Sequence, residues 1–341
     1  MRAHERDPWF IGYLVAIALL VLLDVGVRWW SPHPARMPAQ FSAAYLDRIT
    51  ADLAHRRDSI LVLGDSVLWG YGVDAKDAAM SVLRGRYGNP DVVNLSFQGG
   101  SPENNYVLMR SMFAGGVRPR LVLFNVNLKE FNPADPSYRR LLPAVEEGNR
   151  SNLDSDDRHL LQISEKSRAL NAVLDEYVGR YWQLYHLRSD IKQAIFGQDD
   201  MARWLTGRVE DVTGANARRA AAHKPTPDRF IGTYDLTPLG ASNIAFQYFE
   251  KTARLFQANR IRAVAFLTPT NHKLLHDFID TPEYDDNIRA IERAAARYGI
   301  VTLNLDRAIP AGEFIDNDHL TVQGNERLAQ LLAPYLRAAL R

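Results

Sequence analysis

Five short apolar runs, separated by longer segments with helical periodicity, constrain the fold of this chain more than any other feature. The runs lie at residues 59–63, 91–95, 120–127, 261–267 and 300–305. The clearest helical patterns lie at residues 241–258, 284–298 and about 322–340. Strands that are apolar throughout and alternate with helices are typical of a parallel sheet that helices cover on both faces. We therefore expect an α/β fold with its functional residues at the carboxyl ends of the strands.

A long segment between about residues 133 and 235 interrupts this alternation. In its middle, residues 160–196 carry apolar side chains at a spacing that fits one or two amphipathic helices. We interpret the segment as a helical insertion, which either adds a layer to the core or forms a lid over the substrate. The length of 341 residues suggests about two domains, or one large α/β domain with additions. We predict one domain over residues 46–341 that contains the insertion.

The N-terminal segment departs from the average composition of the chain. From Trp9 to Val27 the only charged residue is Asp24, and tryptophans stand at both ends of the apolar stretch. Twenty-two helical residues span about 33 Å, close to the thickness of a bilayer's hydrocarbon core. The pattern predicts a membrane anchor over residues 1–30 and a proline-containing linker over residues 31–45. A cleaved signal peptide and a buried core helix are the alternatives, and arginines on both sides leave the orientation open.

Composition excludes several classes of protein and site. The chain has no cysteine, which excludes disulfides, thiolate metal sites and thiol nucleophiles. Lys and Arg number 41 against 40 Asp and Glu, a balance that does not indicate a nucleic-acid partner. His272 and His276 have helical spacing but lack the glutamate of a zinc-binding His-Glu-x-x-His pattern. We therefore expect no metal ion and no cofactor.

A serine follows the first apolar run directly. Ser66 lies in the segment LVLGDSVLWGYGV, with Gly64 before it and Gly70 and Gly72 after it. A serine at such a strand-to-loop corner can be exposed at the carboxyl edge of a sheet, and the glycines allow a substrate to approach the backbone. Taken alone, the pattern also fits a turn serine or a helix cap.

A serine nucleophile needs a base, and one loop near the C-terminus carries both the base and a group to orient it. Asp316 and His319 lie three residues apart after the last apolar run. A single loop can therefore deliver the imidazole and the carboxylate that fixes its tautomer. Asp318 is a competing orienting group, and the pattern also fits a helix cap followed by a surface histidine. We predict Ser66 as nucleophile, His319 as base and Asp316 as the orienting carboxylate.

Together these segments resemble the sequence blocks of the SGNH (GDSL-type) hydrolase superfamily, in the same order along the chain. Gly64, Asp65 and Ser66 resemble the first block, NLSFQGGS with Gly99 resembles the second, Asn127 matches the asparagine of the third, and Asp316 and His319 match the last. The resemblance covers about residues 55–135 and 260–340.

Two of the blocks depart from the family pattern. Ser96 stands where a glycine is common, and the glycine and aspartate that flank the third-block asparagine are absent. The resemblance implies a three-layer, flavodoxin-like parallel sheet. It also implies an oxyanion hole formed by the backbone N–H groups of Ser66 and Gly99 and the side-chain amide of Asn127.

The resemblance implies serine-dependent hydrolysis of acyl esters, or transfer of an acyl group such as acetyl to a sugar hydroxyl; the motifs are the same for both. With its apolar N-terminus, the chain is similar to membrane-anchored SGNH proteins of alginate acetylation and of teichoic acid D-alanine transfer. That similarity implies an acylated polysaccharide substrate and a membrane-bound O-acyltransferase as partner. It places the catalytic domain on the periplasmic or outer side of the cytoplasmic membrane. The alternative is a non-catalytic scaffold for the acyltransferase.

Three residues are candidate substrate contacts. Trp69 and Tyr71 follow the nucleophile and either stack on sugar rings or pack in the core. Asn271, in the segment TPTNHK after the fourth apolar run, is expected at the rim of the site. Asp24 is a candidate for contact with a partner helix.

Overall fold

The computed structural model describes most of the chain outside the insertion. The described residues are 8–29, 36–37, 41, 43–56, 58–88, 91–133, 141–149, 153–161, 182, 184, 225–234 and 236–340. Nearly all of the helical pattern at residues 160–196 lies outside these ranges, as does most of the insertion, so its role as layer or lid stays a prediction.

Five parallel strands form one sheet. They are β1 (Ile60–Leu63), β2 (Val92–Asn94), β3 (Leu121–Val126), β4 (Ala263–Leu267) and β5 (Val301–Asn304). The order across the sheet is β2-β1-β3-β4-β5, with every neighbouring pair parallel. Each strand lies within a predicted apolar run, and the order is that of a flavodoxin-like sheet. The predicted α/β architecture is confirmed.

Helices cover both faces of the sheet. The described helices are α1 (Pro8–Trp29), α2 (Ala43–Ala54), α3 (Ser66–Trp69), α4 (Ala79–Arg86), α5 (Pro102–Ala114), α6 (Pro143–Asn149), α7 (Ser155–Leu160), α8 (Ile244–Ala258), α9 (His272–Ile279), α10 (Pro282–Arg297) and α11 (Val322–Leu340). Alternate residues of β1 enter two separate apolar cores: Leu61 and Leu63 pack with α5, α8 and α10, and Ile60 and Val62 pack with α4 and α11. This alternation, which follows from the two-residue period of a strand, produces three layers.

The order of the strands reverses between β1 and β3, because β2 and β3 lie on opposite sides of β1. From β1 the chain moves outward to β2 and then returns to β3 on the other side. The carboxyl ends of β1 and β3 therefore flank a topological switch point, where open α/β sheets form their ligand crevices. Ser66 follows β1 and Asn127 follows β3, so both predicted site residues lie at this point.

The N-terminal segment is helical, and it contacts the insertion. Side chains are described for residues 12–26 of α1, where Asp24 is buried and its Oδ1 accepts a hydrogen bond from Leu184 N at 2.7 Å. No helix in the described part of the chain is long and apolar enough to span a membrane. The membrane anchor predicted over residues 1–30 is thus without support. In the predicted linker, Arg36 and Met37 are buried.

Candidate active site

Ser66 is the first residue of α3, a single helical turn that begins directly after β1. The side chain of Asp65 caps this turn by accepting a hydrogen bond from Val67 N at 2.8 Å, and Gly70 ends it in the left-handed conformation at φ +82°. A side chain at Gly64 would overlap the amide oxygen of Asn125. The glycines on both sides of the serine are therefore required by the tight strand-to-helix turn.

A continuous chain of hydrogen bonds joins the three predicted catalytic residues. Ser66 Oγ lies 2.8 Å from His319 Nε2, and His319 Nδ1 lies 2.8 Å and 3.0 Å from the two carboxylate oxygens of Asp316. The backbone N–H of His319 also donates to Asp316 Oδ1 at 2.9 Å. The structure thus brings together a serine, an imidazole and a carboxylate in the arrangement that serine acyl transfer requires.

The groups around His319 shift its pKa in opposite directions. Burial lowers the pKa of His319, but the negative charges of Asp318 and Asp316 outweigh burial and leave the pKa above its ordinary value. Burial raises the pKa of Asp316, but hydrogen bonds from His319 outweigh this effect and leave the pKa below its ordinary value. Asp316 is therefore a carboxylate at neutral pH, as an orienting group must be.

Asn271 supports the histidine loop. Its Nδ2 donates to Asp316 O at 3.0 Å, its backbone N–H donates to Asn317 O at 2.8 Å, and its Oδ1 caps α9 by accepting from Leu274 N. The side chain is 8% exposed. The side chain of Asn271, which precedes α9 directly, thus serves as an N-cap and supports the histidine loop, and its contact with a substrate stays a prediction.

Two backbone N–H groups are available to bind an oxyanion. Phe97 N–H donates to Gly64 O at 3.2 Å, which fixes the turn at residues 97–100 beside the nucleophile. Gly99 in this turn is exposed, with φ +76°. Within the described residues, the amides of Ser66 and Gly99 donate no hydrogen bond. Both lie at the carboxyl edge of the sheet, beside the serine.

Asn127 is placed differently from its predicted role. Its Nδ2 donates to Asp65 Oδ2 at 2.8 Å and to Asp318 Oδ2 at 2.6 Å, and the residue is buried. Both amide hydrogens are used, so in this geometry Asn127 has none left for a substrate oxygen. Its amide instead links the nucleophile loop to the histidine loop, because each of two buried carboxylates accepts one of its N–H groups.

A buried polar network behind the triad was not foreseen from the sequence. It contains Lys129 and Glu130, which follow β3 and are buried although they are charged residue types. Burial, together with the Asp65 carboxylate, raises the pKa of Glu130 well above its ordinary value. The sequence signal was the polar run Asn-Leu-Lys-Glu directly after an apolar strand.

The two aromatic candidates have different environments. Trp69 is 1% exposed, its Nε1 donates to Met37 O at 2.7 Å, and the Arg36 guanidinium lies 3.8 Å above its ring. The predicted sugar stacking is therefore wrong for Trp69, which packs in the core. Tyr71 is 46% exposed, and its ring centroid lies 4.5 Å from that of His319. Tyr71 thus borders the site and can contact a substrate.

Among the described residues, Asp316, Asp318 and His319 form the one group whose possible metal-ligand atoms lie within 4.8 Å of one another. Both imidazole nitrogens already have partners in the triad. Asp318 Oδ2 contacts the Lys129 ammonium and the Asn127 amide. A lysine cation within the group competes with a metal ion, so the residues fit proton transfer better than cation binding.

Neither a protein-family model nor a curated protein matches the chain. Solved structures that resemble it include a protein assigned to the lipolytic G-D-S-L family from Desulfitobacterium hafniense DCB-2, with 9% identity and a TM-score of 0.39 over 82% of this chain and 99% of that one. Another is a protein classed as an acylhydrolase from Bacteroides fragilis NCTC 9343, with 10% identity and a TM-score of 0.41 over 89% of this chain and 100% of that one. At these scores the similarity carries no weight for the chemistry, which rests on the contacts of this chain.

Proposed function

We propose that this protein is a serine-dependent acyl esterase or O-acyltransferase that forms an acyl-enzyme on Ser66. The observation that carries the proposal is the hydrogen-bond chain from Ser66 Oγ through His319 to Asp316, with distances of 2.8 Å at both steps. The chain lies at the carboxyl edge of a parallel sheet, beside two backbone amides without partners among the described residues.

The geometry supports a two-step reaction. As Ser66 Oγ attacks the ester carbonyl, His319 Nε2 accepts the hydroxyl proton, and Asp316 stabilises the imidazolium that results. The N–H groups of Ser66 and Gly99 hold the negative charge on the carbonyl oxygen, where one donor commonly contributes about 3 kcal/mol. His319 then returns the proton to the departing alcohol as the ester bond breaks. Water or a sugar hydroxyl takes the acyl group in the reverse sequence of proton transfers.

We also make a more specific proposal about the substrate. We infer an acylated, most simply acetylated, polysaccharide, handled beside a membrane-bound O-acyltransferase on the periplasmic or outer side of the cytoplasmic membrane. The sequence resemblance supports the substrate, partner and location. The exposed ring of Tyr71 beside His319 supports a sugar substrate, because aromatic faces stack on sugar rings.

One observation favours the alternative of a non-catalytic scaffold. The amide of Asn127 is engaged by two carboxylates, which leaves the oxyanion with two backbone donors and no side-chain donor from this residue. A scaffold would keep the fold and the buried network but would form no covalent intermediate.

Trapping the acyl-enzyme tests the proposal. Incubation of the full chain with 4-nitrophenyl acetate, followed by acid quenching and peptide mass analysis, is expected to give an acetyl adduct on Ser66. The Ser66→Ala variant should form none, and its turnover should fall by at least about 10⁴-fold. A wild-type chain without the adduct, and with turnover equal to that of the variant, would establish the scaffold instead. Glycan mass before and after incubation then shows whether acyl groups are lost or gained.

A further inference from the structure

A buried lysine–aspartate pair lies directly behind the catalytic histidine. Lys129 Nζ contacts Asp318 Oδ2, and the two side chains are 10% and 0% exposed. Burying an ion pair costs the hydration free energy of both charges, and their mutual attraction often does not offset this cost. The pair is therefore a weak source of stability. Its place beside the triad indicates a role in the chemistry of the site.

The aspartate of the pair acts on the imidazole through its charge. Asp318 Oδ1 lies 3.5 Å from His319 Nδ1, a long distance for a hydrogen bond, and Nδ1 is already bonded to Asp316. Within the described residues, Asp318 Oδ1 is buried and has no hydrogen-bond partner. Its negative charge is therefore directed at the imidazole without competing for the orienting hydrogen bond.

Two carboxylates beside one imidazole would keep it protonated. A protonated imidazole cannot accept the hydroxyl proton of Ser66, so the second carboxylate alone would impair the base. The Lys129 ammonium offsets the negative charge of Asp318. Among the other groups near the imidazole, the Ser66 hydroxyl lies at Nε2 and the Tyr71 ring lies against the imidazole. The Asp65 carboxylate shares the Asn127 amide with Asp318 and adds negative charge behind the pair, and the pKa of buried Glu130 beside Lys129 is raised.

We propose that Lys129 is a positioning residue that acts through Asp318, and that this pair sets the protonation state of His319 for its work as a base. The catalytic role of the pair rests on the proposed function, but its effect on the protonation of His319 does not require catalysis. The opposing effects on the histidine agree with it: after burial, Asp318 is the main influence that raises the pKa of His319, and Lys129 lowers that pKa.

Direct titration of His319 tests the proposal. The pKa is measured in the full chain by NMR of the imidazole carbons, with the His319 signal assigned by its loss in His319→Gln. We expect Lys129→Met to raise the pKa by about one unit, Asp318→Asn to lower it by a similar amount, and the double variant to lie between them. Lys251→Met is the matched control, because it breaks another partly buried lysine–aspartate pair, with Asp157. It should leave the pKa of His319 unchanged.

The outcomes distinguish a failure of the lysine–aspartate proposal from a failure of the proposed function. An unchanged pKa in Lys129→Met and Asp318→Asn, or a change equal to that in Lys251→Met, would overturn the role of the pair. If Lys129→Met does not fold, Asp318→Asn decides alone, since an unchanged or raised pKa there contradicts the proposal. If the pKa moves as expected while wild-type Ser66 forms no acyl-enzyme, the proposed function fails and the electrostatic inference stands. In an active enzyme, the acid limb of kcat/KM moves with the pKa.

Discussion

At the scale of single residues, neighbours in sequence have very different roles around the nucleophile. Trp69 and Tyr71 are separated by one glycine, yet the first is buried under the Arg36 guanidinium and the second covers the imidazole from the solvent side. The end of α3 at Gly70 turns the chain between them. One aromatic residue therefore belongs to the support of the site and the other to its rim.

This difference predicts separable effects of two substitutions. Trp69→Ala should lower the free energy of unfolding by about 3–5 kcal/mol, because it leaves a large cavity beneath the nucleophile. Tyr71→Ala should leave the free energy of unfolding nearly unchanged and raise KM for a glycan ester more than it lowers kcat. Urea unfolding and steady-state kinetics of both variants make the comparison. A loss of stability in Tyr71→Ala would place its ring in the core instead.

The raised pKa of His319 makes both activity and stability depend on pH. The base must be neutral, so kcat/KM should rise with pH through a pKa above the ordinary histidine value of about 6.5. Because the folded protein binds this proton more tightly than the unfolded chain, the contribution to stability is complete below about pH 6.5 and is lost as pH rises through the folded pKa. Denaturant unfolding of wild type and His319→Gln over pH 5–9 should show a steeper dependence in wild type, because His272, whose pKa is also raised, contributes equally in both chains.

At the scale of elements, the nucleophile turn is held by contacts from several directions. Arg36 Nη1 donates to the carbonyls of Trp69, Gly70 and Val73, and Asn94 Nδ2 donates to Leu68 O. These donors occupy carbonyls at the end of α3, which a helix of one turn cannot satisfy itself. The short α3 is thus fixed by side chains from distant parts of the chain.

The turn at residues 97–100 depends on the close contact between Gly100 and Gly64. A Cβ at Gly100 would overlap the carbonyl oxygen of Gly64, so Gly100→Ala must push the turn at residues 97–100 away from Ser66. We expect a loss of about 2 kcal/mol in stability from this overpacking, and a fall in kcat as the Gly99 amide moves. Gly85→Ala in α4 is the control, because no described atom lies within 4 Å of its added Cβ, and it should stabilise by about 0.5–1 kcal/mol. Equal kcat in both variants would refute a role for the turn.

The triad could be predicted from sequence because each of its parts lies in a short local pattern at a strand end. The buried network could not. Lys129 and Glu130 are residue types that are usually exposed, and nothing local shows that Asp318 will come to meet them from 189 residues away. The oxyanion role predicted for Asn127 failed for the same reason: its amide N–H groups are bound by carboxylates from two distant loops, which the local sequence does not show.

At the scale of the whole molecule, the sheet was predictable since its strands are apolar throughout, and their order followed from the family resemblance. The burial of the N-terminal linker was not predictable, because it depends on contacts with residues 69–73, which lie more than 30 positions further along the chain. Arg36 lies in a proline-containing segment that reads as a spacer, yet it is 3% exposed, and burial lowers its pKa to about 10. The catalytic unit therefore includes residues that composition assigns to the connection before it.

A pair of truncations tests this boundary. A chain that begins at Arg36 should keep the stability and the Ser66 reactivity of the sheet domain. A chain that begins at Phe41 should lose about 2–3 kcal/mol, because three carbonyls at the nucleophile turn lose a charged donor and Trp69 loses its indole acceptor. Thermal unfolding and the rate of acyl-enzyme formation check both chains. Equal stability of the two would show that the linker is dispensable.

The separation of the triad along the chain has a consequence for synthesis. Ser66 and His319 are 253 residues apart, so at about 5–20 residues per second the nucleophile waits roughly 13–50 s for its base. During that interval the serine is an ordinary alcohol. His319 and Asp316 arrive together, three residues apart, and no chain terminated before them can cleave an ester. A chain released before residue 316 therefore holds the serine without its base, and we expect no acyl-enzyme from it.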